Sequence, residues 1–304
     1  MSKFDVLGLG AVAVDELVYV ESFPPPDVKT RVSRIERQCG GLTATALVAA
    51  SRLGSRCAYA GLLGTDELSA FAVATLHSEN IDLTHLQREP SVQPVHSFIV
   101  VGEENHTRNV FAHSRNFSGP TGNWPPDEVI RSARVLLIDH FGIPGMIRAA
   151  CIARQNGGQV VADAERETGP GFAEWLASAD HLILSGRFAR NLTGTDTPAD
   201  AATGLWNAGR KVVVVTDGNN GCWYTSDGHA VTHKPAFPVK VTDTTGCGDV
   251  FHGAYASALA RGIPLPERIR FASMAAALKA TAYGGQAGIP TLSAVENALA
   301  RAPA

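Results

Sequence analysis

Short apolar runs alternate with helical patterns along the chain, and this alternation indicates the fold class. The runs that are rich in Val, Ile and Leu lie at 4–10, 57–64, 134–138, 159–163, 181–185 and 211–216. Continuous runs of this kind are typical of strands that are buried on both faces of a sheet. The helical patterns lie at 42–53, 66–79, 145–155 and 198–208. Strands and helices in alternation predict an α/β fold with parallel strands joined by right-handed crossovers.

Two segments do not follow this alternation. Residues 12–36 and 95–113 each contain two stretches of roughly alternating polarity with a polar turn between them. This pattern predicts antiparallel hairpins. We expect the two hairpins to form a small sheet beside the main one, as a lid inserted in a single domain that spans 1–304.

The composition is that of a globular protein with a substantial core. The chain has 304 residues, of which 45% are hydrophobic and 18% are charged. The formal net charge is −3, so there is no basic excess that would favour nucleic acid or an anionic membrane as a partner.

The amino-terminal run and the cysteines indicate the compartment. Asp5 and Asp15 interrupt the first apolar residues, which fit neither a signal peptide nor a membrane-spanning helix. The five cysteines are odd in number and form no Cys-x-x-Cys pair, so we expect free thiols and a cytoplasmic protein. His229 and His233 flank a turn-like stretch without further ligands, which does not favour a zinc site.

The segment 239–262 carries the strongest indication of chemistry. A strand-like start leads into a loop rich in Thr and Gly, and the loop leads into a helix of small residues. Gly246 and Gly248 allow the backbone to turn tightly and to approach a ligand. The free N–H groups and the positive dipole end of the following helix favour an anion such as phosphate. Asp249, beside that site, could accept a proton from a hydroxyl group.

Other interpretations of these residues remain open from spacing alone. Asp249 could simply stabilise a helix start, and the glycines could simply form a turn. The chain contains no P-loop pattern, which excludes the ordinary P-loop NTPases. The residues GLGAVA at 8–13 match a dinucleotide-binding pattern, but the alternating stretch that follows predicts a strand instead of the required helix.

The sequence DTTGCGD at 243–249 closely resembles the second signature of the ribokinase family of carbohydrate kinases, the phosphofructokinase-B type. It departs from that signature by Cys247, where the family has Ala. The segment 38–69 resembles the first signature, and the similarity extends from the start of the chain to GGQAGIP near its end. The resemblance implies a three-layer α/β/α sandwich with a mostly parallel central sheet and a small β-sheet lid.

The resemblance also implies roles for individual residues, with ATP and Mg²⁺ as cofactors. Asp249 matches the catalytic base. The anion hole would consist of Gly246, Cys247 and Gly248. The substrate side would include Asp15, Gly40, Gly41 and Thr45. The nucleotide side would include Thr216, Gly218, Gly221, Thr245 and Ser273. Parts of the family require a monovalent cation such as K⁺, and the sequence leaves this requirement open.

Two departures from the family pattern bear on the site. Thr45 stands where the family commonly has Asn, and a hydroxyl reaches less far than an amide. The family's Asn-x-x-Glu motif should fall at 185–188, where this chain has Ser-Gly-Arg-Phe. The metal ligands are therefore unknown, and Asp163, at the end of a predicted strand, is a candidate for a magnesium or sugar contact or for a turn.

Several cationic residues lie in or beside the expected lid. They are Lys29, Arg31, Arg108 and Arg115. One or two of them, with Lys29 and Arg108 as first candidates, could bind an anionic group of the substrate, although each could also belong to a solvated surface. Cys247 could be a reactive thiol at a helix start or a small residue in place of Ala.

Together these observations predict an ATP-dependent sugar kinase. The expected substrate is a ketohexose, a furanose or a sugar derivative, and the segments around 38–54 and 233–255 look most like the ketohexose and sulfosugar kinase branches. The alternatives are a nucleoside kinase of the same family and a sugar-binding sensor that has lost catalysis. We expect a homodimer that forms through the lid.

Overall fold

The computed structural model describes residues 2–104, 107–114 and 116–302. The strands are β1 (Phe4–Leu9), β2 (Ala13–Val20), β3 (Arg34–Gly40), β4 (Cys57–Tyr59), β5 (Leu62–Leu63), β6 (Gln87–Arg88), β7 (Val95–Gly102), β8 (Thr107–His113), β9 (Ala133–Ile138), β10 (Gln159–Ala164), β11 (His181–Ser185), β12 (Val212–Thr216), β13 (Cys222–Thr225) and β14 (Thr232–Lys234). The helices are α1 (Leu42–Arg52), α2 (Glu67–Ser78), α3 (Asp127–Arg131), α4 (Ile143–Gln155), α5 (Phe172–Ser178), α6 (Gly186–Thr193), α7 (Pro198–Leu205), α8 (Cys247–Ala260), α9 (Leu265–Lys279) and α10 (Leu292–Arg301). Among these helices, none is both long and apolar enough to cross a membrane.

The main sheet has the strand order β14-β13-β12-β11-β10-β9-β1-β4. Neighbouring strands from β4 to β12 are parallel, and β13 and β14 extend the sheet as antiparallel strands at one edge. The valines of β12 are buried, as expected for a strand covered on both faces. Since the parallel strands all end at one edge, the loops that follow β9, β10, β11 and β12 meet there, where α/β sheets bind ligands.

Helices cover both faces of this sheet. One apolar core lies between the sheet and α1, α2, α8, α9 and α10, with the fully buried Tyr255 among its large side chains. A second core lies between the opposite face and α3, α4, α5 and α7, around Trp175. The three-layer α/β/α architecture predicted from the sequence is therefore confirmed.

Close packing of α1 and α8 fixes the position of the glycine-rich segment. A Cβ atom on Gly253 of α8 would lie 2.0 Å from the carbonyl oxygen of Ala46 in α1. Only glycine permits this approach, because no side-chain atom fits between the two helices. The first turn of α8 is consequently held at the edge where the strands of the main sheet end.

A separate sheet, which we call the lid, has the strand order β3-β2-β7-β8. β2 with β3 and β7 with β8 are antiparallel hairpins, and the parallel pair of β2 and β7 joins them. Leu17, Tyr19 and Ile99 form a small buried cluster on one of its faces. On this face, the Arg34 guanidinium lies 3.9 Å from the Tyr19 ring centroid and 5.5 Å from that of Tyr283, which connects the lid to the loop after α9.

One sequence-based prediction of an element was wrong. The run 57–64, predicted as one strand, forms β4 in the main sheet and β5, which pairs with β6 in a small sheet of its own. Ala60 and Gly61 separate the two strands, and the Tyr59 hydroxyl packs so closely on Gly61 that a Cβ there would lie 2.1 Å from it. The GLGAVA stretch leads into β2, in agreement with the rejection of a dinucleotide site.

Candidate active site

The glycine loop, residues 243–249, ends in the first turn of α8. Gly246 is the N-cap residue with φ of 73°, a left-handed conformation that favours glycine, and no side chain caps the helix. A Cβ on Gly248 would have no atom within 4 Å, so the backbone there faces open space. The Cys247 N–H donates a 3.2 Å hydrogen bond to the Thr244 carbonyl, which tightens the turn. An uncapped helix start beside open space is a suitable place for a phosphate group.

Asp249 lies in this first turn and is half-buried. Burial raises its pKa well above the ordinary value, and the carboxylates of Asp163, Glu165 and Asp15 raise it further, whereas the Arg108 guanidinium lowers it. These electrostatic effects require the acidic groups and Arg108 to lie near one another. A carboxylate with a raised pKa is a stronger base than a solvated one.

His252, one turn further along α8, binds the glycine loop to the main sheet. Its Nδ1 lies 2.8 Å from the Gly248 carbonyl, and its Nε2 lies 3.0 Å from the Ile183 carbonyl and 3.4 Å from Asp163 Oδ1. His252 and Asp163 are both buried. The sequence analysis did not identify His252, and no local pattern distinguishes it from a core residue of α8.

The start of the glycine loop is organised by Asp243. Its Oδ1 accepts a 2.8 Å hydrogen bond from the Thr245 N–H, and its Oδ2 accepts one of 2.8 Å from the Gly284 N–H. The Asp243 carbonyl accepts a 2.9 Å hydrogen bond from Lys279 Nζ. Although burial opposes ionisation, these N–H groups and the Lys279 charge keep the pKa of Asp243 below its ordinary value.

On the lid, Asp15 lies directly against Gly40. A Cβ on Gly40 would be 2.1 Å from Asp15 Oδ2, so any other residue there would displace the carboxylate. Burial raises the pKa of Asp15 to about 6, and a hydrogen bond with Ser97 partly opposes this. Gly41 adopts φ of 95° with the carbonyl of Ala11 close by. The structure thus brings together Asp15, Gly40 and Gly41, which the family resemblance implies for the substrate side.

The lid also contacts the glycine loop directly. Arg108, on β8, donates a 2.8 Å hydrogen bond from Nη1 to the Thr244 hydroxyl. Gln38, on β3, accepts a 3.0 Å hydrogen bond from the Gly285 N–H. Lys29 and Arg31 lie exposed in the segment between β2 and β3 and are not brought to the loop. Arg115 lies outside the described residues.

Thr45 is buried in α1, where its hydroxyl accepts a 3.3 Å hydrogen bond from Gln286 Nε2. The hydroxyl proton is still available as a donor. Thr45 therefore lies at the junction of α1 and the segment after α9.

Four of the residues proposed for the nucleotide side lie at or next to the antiparallel edge of the main sheet, whereas Thr245 belongs to the glycine loop. Thr216, at the end of β12, pairs across the ladder with Cys222 of β13, and the Cys222 thiol is hydrogen-bonded with Ser273 of α9. Gly218 begins a short 3₁₀ turn, and Gly221 packs so closely on β14 that a Cβ would lie 2.1 Å from the Lys234 carbonyl. The turn therefore has a fixed shape.

Two acidic residues at the end of β10, Asp163 within the strand and Glu165 directly after it, are candidates for holding a metal ion. Within the described ranges, no group of three or more His, Cys, Asp or Glu side chains is arranged to hold a metal ion. Burial raises the pKa of Asp163, and burial followed by the Asp163 charge raises that of Glu165. Since Mg²⁺ usually binds one or two carboxylates together with substrate phosphates and water, Asp163 and Glu165 fit an ion that arrives with a nucleotide.

Cys247 behaves as a filler and not as an activated thiol. Burial raises the pKa of its thiol to about 11, although the Lys279 charge opposes this. The thiol is therefore protonated at neutral pH and is a weak nucleophile.

The whole chain was compared with known proteins. Residues 3–292 match the model of the pfkB family of carbohydrate kinases. Ribokinase of Haemophilus influenzae is 28% identical over 293 residues, which are 93% of this chain and 94% of that protein. Probable fructokinase-2 of Arabidopsis thaliana is 29% identical over 282 residues, 83% of this chain and 84% of that protein.

Two solved structures are similar to this chain in fold over nearly its whole length. A crystal structure from Agrobacterium tumefaciens, provisionally described as a ribokinase, has a TM-score of 0.91 at 26% identity and covers 98% of both chains. Arabidopsis thaliana ribokinase, solved with ribose and ATP, has a TM-score of 0.84 at 22% identity and covers 98% of this chain and 99% of that one.

Proposed function

The chain belongs to the pfkB family of carbohydrate kinases, and on that premise we propose that it transfers the γ-phosphate of ATP to a hydroxyl group of a small sugar. The observation that carries the proposal is the position of Asp249, a carboxylate of raised pKa in the first turn of a helix that no side chain caps. A base and an anion site side by side are what phosphoryl transfer to a hydroxyl requires.

In the proposed reaction the sugar O–H proton moves to the Asp249 carboxylate. The freed oxygen forms a bond to the γ-phosphorus while the bond from that phosphorus to the β–γ bridging oxygen breaks, and ADP leaves. The N–H groups of Gly246, Cys247 and Gly248 would stabilise the charge on the transferred group. Arg108 approaches the same region from the lid and favours the ionised form of Asp249, which is the form that can act as a base.

Magnesium would be held by Asp163 and Glu165 together with the nucleotide phosphates. The ion would neutralise negative charge on those phosphates. The Asn-x-x-Glu motif is absent at 185–188, and the assignment is supported by the nearness of the Asp163 and Glu165 carboxylates to Asp249, whose pKa they raise.

The sugar side would consist of Asp15, Gly40, Gly41 and Thr45, with Arg108 as an anion contact and Lys29 as a lid residue that reaches the sugar only if its segment moves. Asp15 would accept hydrogen bonds from sugar hydroxyls, because a partly buried carboxylate is a strong acceptor. The relatives named ribokinase and fructokinase support a pentose or a ketohexose as the substrate class.

On the nucleotide side, the fixed turn at Gly218 and Gly221, with Thr216 and Ser273 at the antiparallel edge, would hold the base and ribose of ATP. Thr245 would contact the phosphates from the glycine loop, since Asp243 anchors its backbone.

We also propose that two copies of the chain associate through the outer face of the lid. Phe98 and Phe111 lie opposite each other on β7 and β8, and Ile35 lies on β3 of the same face. These side chains are exposed by 50%, 54% and 63%. An exposed apolar surface of this kind is typical of a protein interface. Light scattering on wild type and Phe98→Glu tests this, since a dimer that becomes a monomer supports the lid interface and an unchanged mass contradicts it.

The function is tested by ADP release across a panel of pentoses, ketohexoses, sulfosugars and nucleosides. Wild type, Asp249→Asn and the exposed control Asp196→Asn are compared under conditions in which all three proteins are folded to the same extent. Loss of turnover by roughly a hundredfold or more in Asp249→Asn alone would match removal of a general base. A nucleoside as the best substrate would favour a nucleoside kinase. Binding of a sugar, seen as a raised melting temperature, without any turnover would favour a sensor.

A further inference from the structure

Lys279 is a lysine with no exposed surface, at the last residue of α9. Lysine is almost never fully buried, because its ammonium group loses its hydration. Burial accordingly lowers the pKa of Lys279, while the negative charges of Asp243 and Asp249 oppose this. The reaction derived above does not use this residue, so its burial requires another explanation.

The ammonium group lies between two carbonyl oxygens from different segments. Nζ is 2.9 Å from the carbonyl of Asp243 in the glycine loop and 3.5 Å from the carbonyl of Ala282 in the segment after α9. The two segments are also joined by backbone hydrogen bonds, since the N–H groups of Thr242 and Asp243 donate to the Ala280 carbonyl over 2.8 Å and 3.2 Å. Carbonyl oxygens that converge without neighbouring water are the ligands that K⁺ takes in proteins.

An ammonium ion and K⁺ have similar size and equal charge. A lysine ammonium that is bound by backbone carbonyls can therefore do what a bound monovalent cation does, which is to hold those carbonyls together and to supply a fixed positive charge. The charge of Lys279 reaches the first turn of α8, where it acts on Cys247 and Asp249. A fixed charge in a water-poor site has a larger effect than the same charge in solvent.

We propose that the Lys279 ammonium is a built-in monovalent cation that holds the glycine loop in its binding conformation, so that this kinase works without K⁺. The inference rests on the proposed kinase function, and it answers the question of a monovalent cation that the sequence left open. Lys279 acts here as a positioning residue through the backbone of the loop and touches no reacting atom.

The first experiment is a cation titration of the wild type with the best sugar of the panel. Rates in KCl, NH₄Cl and tetramethylammonium chloride at equal ionic strength are expected to agree within about twofold, because the charge is already present. Activation by K⁺ of tenfold or more would overturn the proposal, and this arm does not depend on any variant folding.

The second experiment compares Lys279→Ala with Lys279→Met. The alanine variant leaves room for an ion, whereas methionine fills most of the space with an uncharged chain. We expect both to lose at least tenfold in kcat in tetramethylammonium chloride, and we expect K⁺ or NH₄⁺ to restore part of the activity of Lys279→Ala alone. Full activity in Lys279→Met, or rescue of both variants to the same degree, would contradict the assignment.

A readout that needs no turnover separates this inference from the proposed function. The melting temperature of Lys279→Ala is expected to rise with K⁺ concentration and to be higher in KCl than in tetramethylammonium chloride. The melting temperatures of wild type and Lys279→Met are expected to be the same in both salts. If no sugar is phosphorylated but this pattern is found, the cation inference stands and the kinase proposal fails. A K⁺-independent melting temperature in folded Lys279→Ala would overturn the cation inference itself.

Discussion

The guanidinium of Arg108 on the lid and the hydroxyl of Thr244 in the glycine loop are joined by a 2.8 Å hydrogen bond across 136 residues of sequence. This contact connects the lid, which would cover the substrate, with the loop that would bind the transferred phosphate. Because Arg108 also lowers the pKa of Asp249, the position of the lid influences the charge state of the proposed base. On the proposed reaction, closure of the lid would thereby be coupled to ionisation of the base.

We expect Arg108→Ala to lower kcat by about a hundredfold, the effect typical of removing one charge-stabilising donor. The kcat of Arg108→Lys should lie between those of Arg108→Ala and wild type, since lysine keeps the charge but not the geometry of the guanidinium. Steady-state kinetics with saturating ATP measures this. Thr244→Val, which removes only the hydroxyl, is the control and should change kcat by a few-fold at most. An effect of Thr244→Val as large as that of Arg108→Ala would mean that the hydrogen bond, and not the charge, is what matters.

Gly40→Ala should raise KM for the sugar by roughly tenfold, because the new Cβ would lie 2.1 Å from Asp15 Oδ2 and displace that carboxylate. kcat at saturating sugar should change much less. Gly122→Ala is a matched control, since a Cβ at Gly122 meets no atom within 4 Å. Equal KM values for the two variants would remove Asp15 from the proposed sugar site.

The pH dependence of sugar binding should follow Asp15. Burial raises its pKa to about 6, so below that pH the carboxyl group is protonated and accepts hydrogen bonds less well. We expect KM for the sugar to rise as the pH falls from 7 to 5 in wild type, and to be higher but nearly independent of pH in Asp15→Asn. A KM that stays constant in wild type over this range would contradict the assignment.

Ionisation of Asp15 should lower the stability of the fold, although it favours sugar binding. A carboxyl group whose pKa is about 6 in the folded protein, against 3.8 ordinarily, binds more protons in the folded state, so its contribution to stability falls as the pH rises through that interval. Asp15→Asn is therefore expected to be more stable than wild type by up to about 3 kcal/mol at pH 7 and about equally stable near pH 4. Chemical denaturation at both pH values measures this. Lower stability of the variant at pH 7 would show that the carboxylate is well solvated or paired.

His252→Phe tests the connection between the glycine loop and the main sheet. The contacts of the ring nitrogens with the carbonyls of Gly248 and Ile183, at least one of which is a hydrogen bond donated by the imidazole, would be lost, which costs about 1–3 kcal/mol of stability. We expect a lower kcat with little change in KM for the sugar, because the anion site moves and the lid does not. His252→Gln can donate one of the two hydrogen bonds and should recover part of both properties. Unchanged kcat in His252→Phe would make the histidine a purely structural residue.

Much of the fold could be predicted because its pattern is local. The continuous apolar runs of β10, β11 and β12 identify buried parallel strands, and the alternating stretches identify the strands of the lid. The prediction of one strand over 57–64 failed because the periodicity of an apolar run does not reveal that Ala60 and Gly61 separate β4 from β5. Contacts between distant residues have no signature in a single run.

The difference between local patterns and contacts of distant residues also explains which residues of the candidate site the sequence reveals. Asp249 and the glycines beside it form one contiguous motif, which spacing reveals. Lys279, His252 and Glu165 are 30, 3 and 84 positions from Asp249, and each looks ordinary in its own segment. A lysine at a helix end usually faces solvent and favours the dipole there. Only the packing of α9 against the glycine loop shows that this lysine points inward.

The joining of the two lid hairpins has a consequence for the order in which the protein folds. Each hairpin pairs two strands that follow each other in the sequence, but the parallel pair of β2 and β7 brings residue 13 next to residue 95, with elements including α1, β4 and α2 in between. Non-local pairing of this kind forms only after much chain entropy has been lost. The lid sheet should therefore assemble after the first part of the main sheet, and amide hydrogen exchange should be faster in β8, at the lid's edge, than in β1. The element that would close over the substrate is then also the last to become protected from solvent during folding.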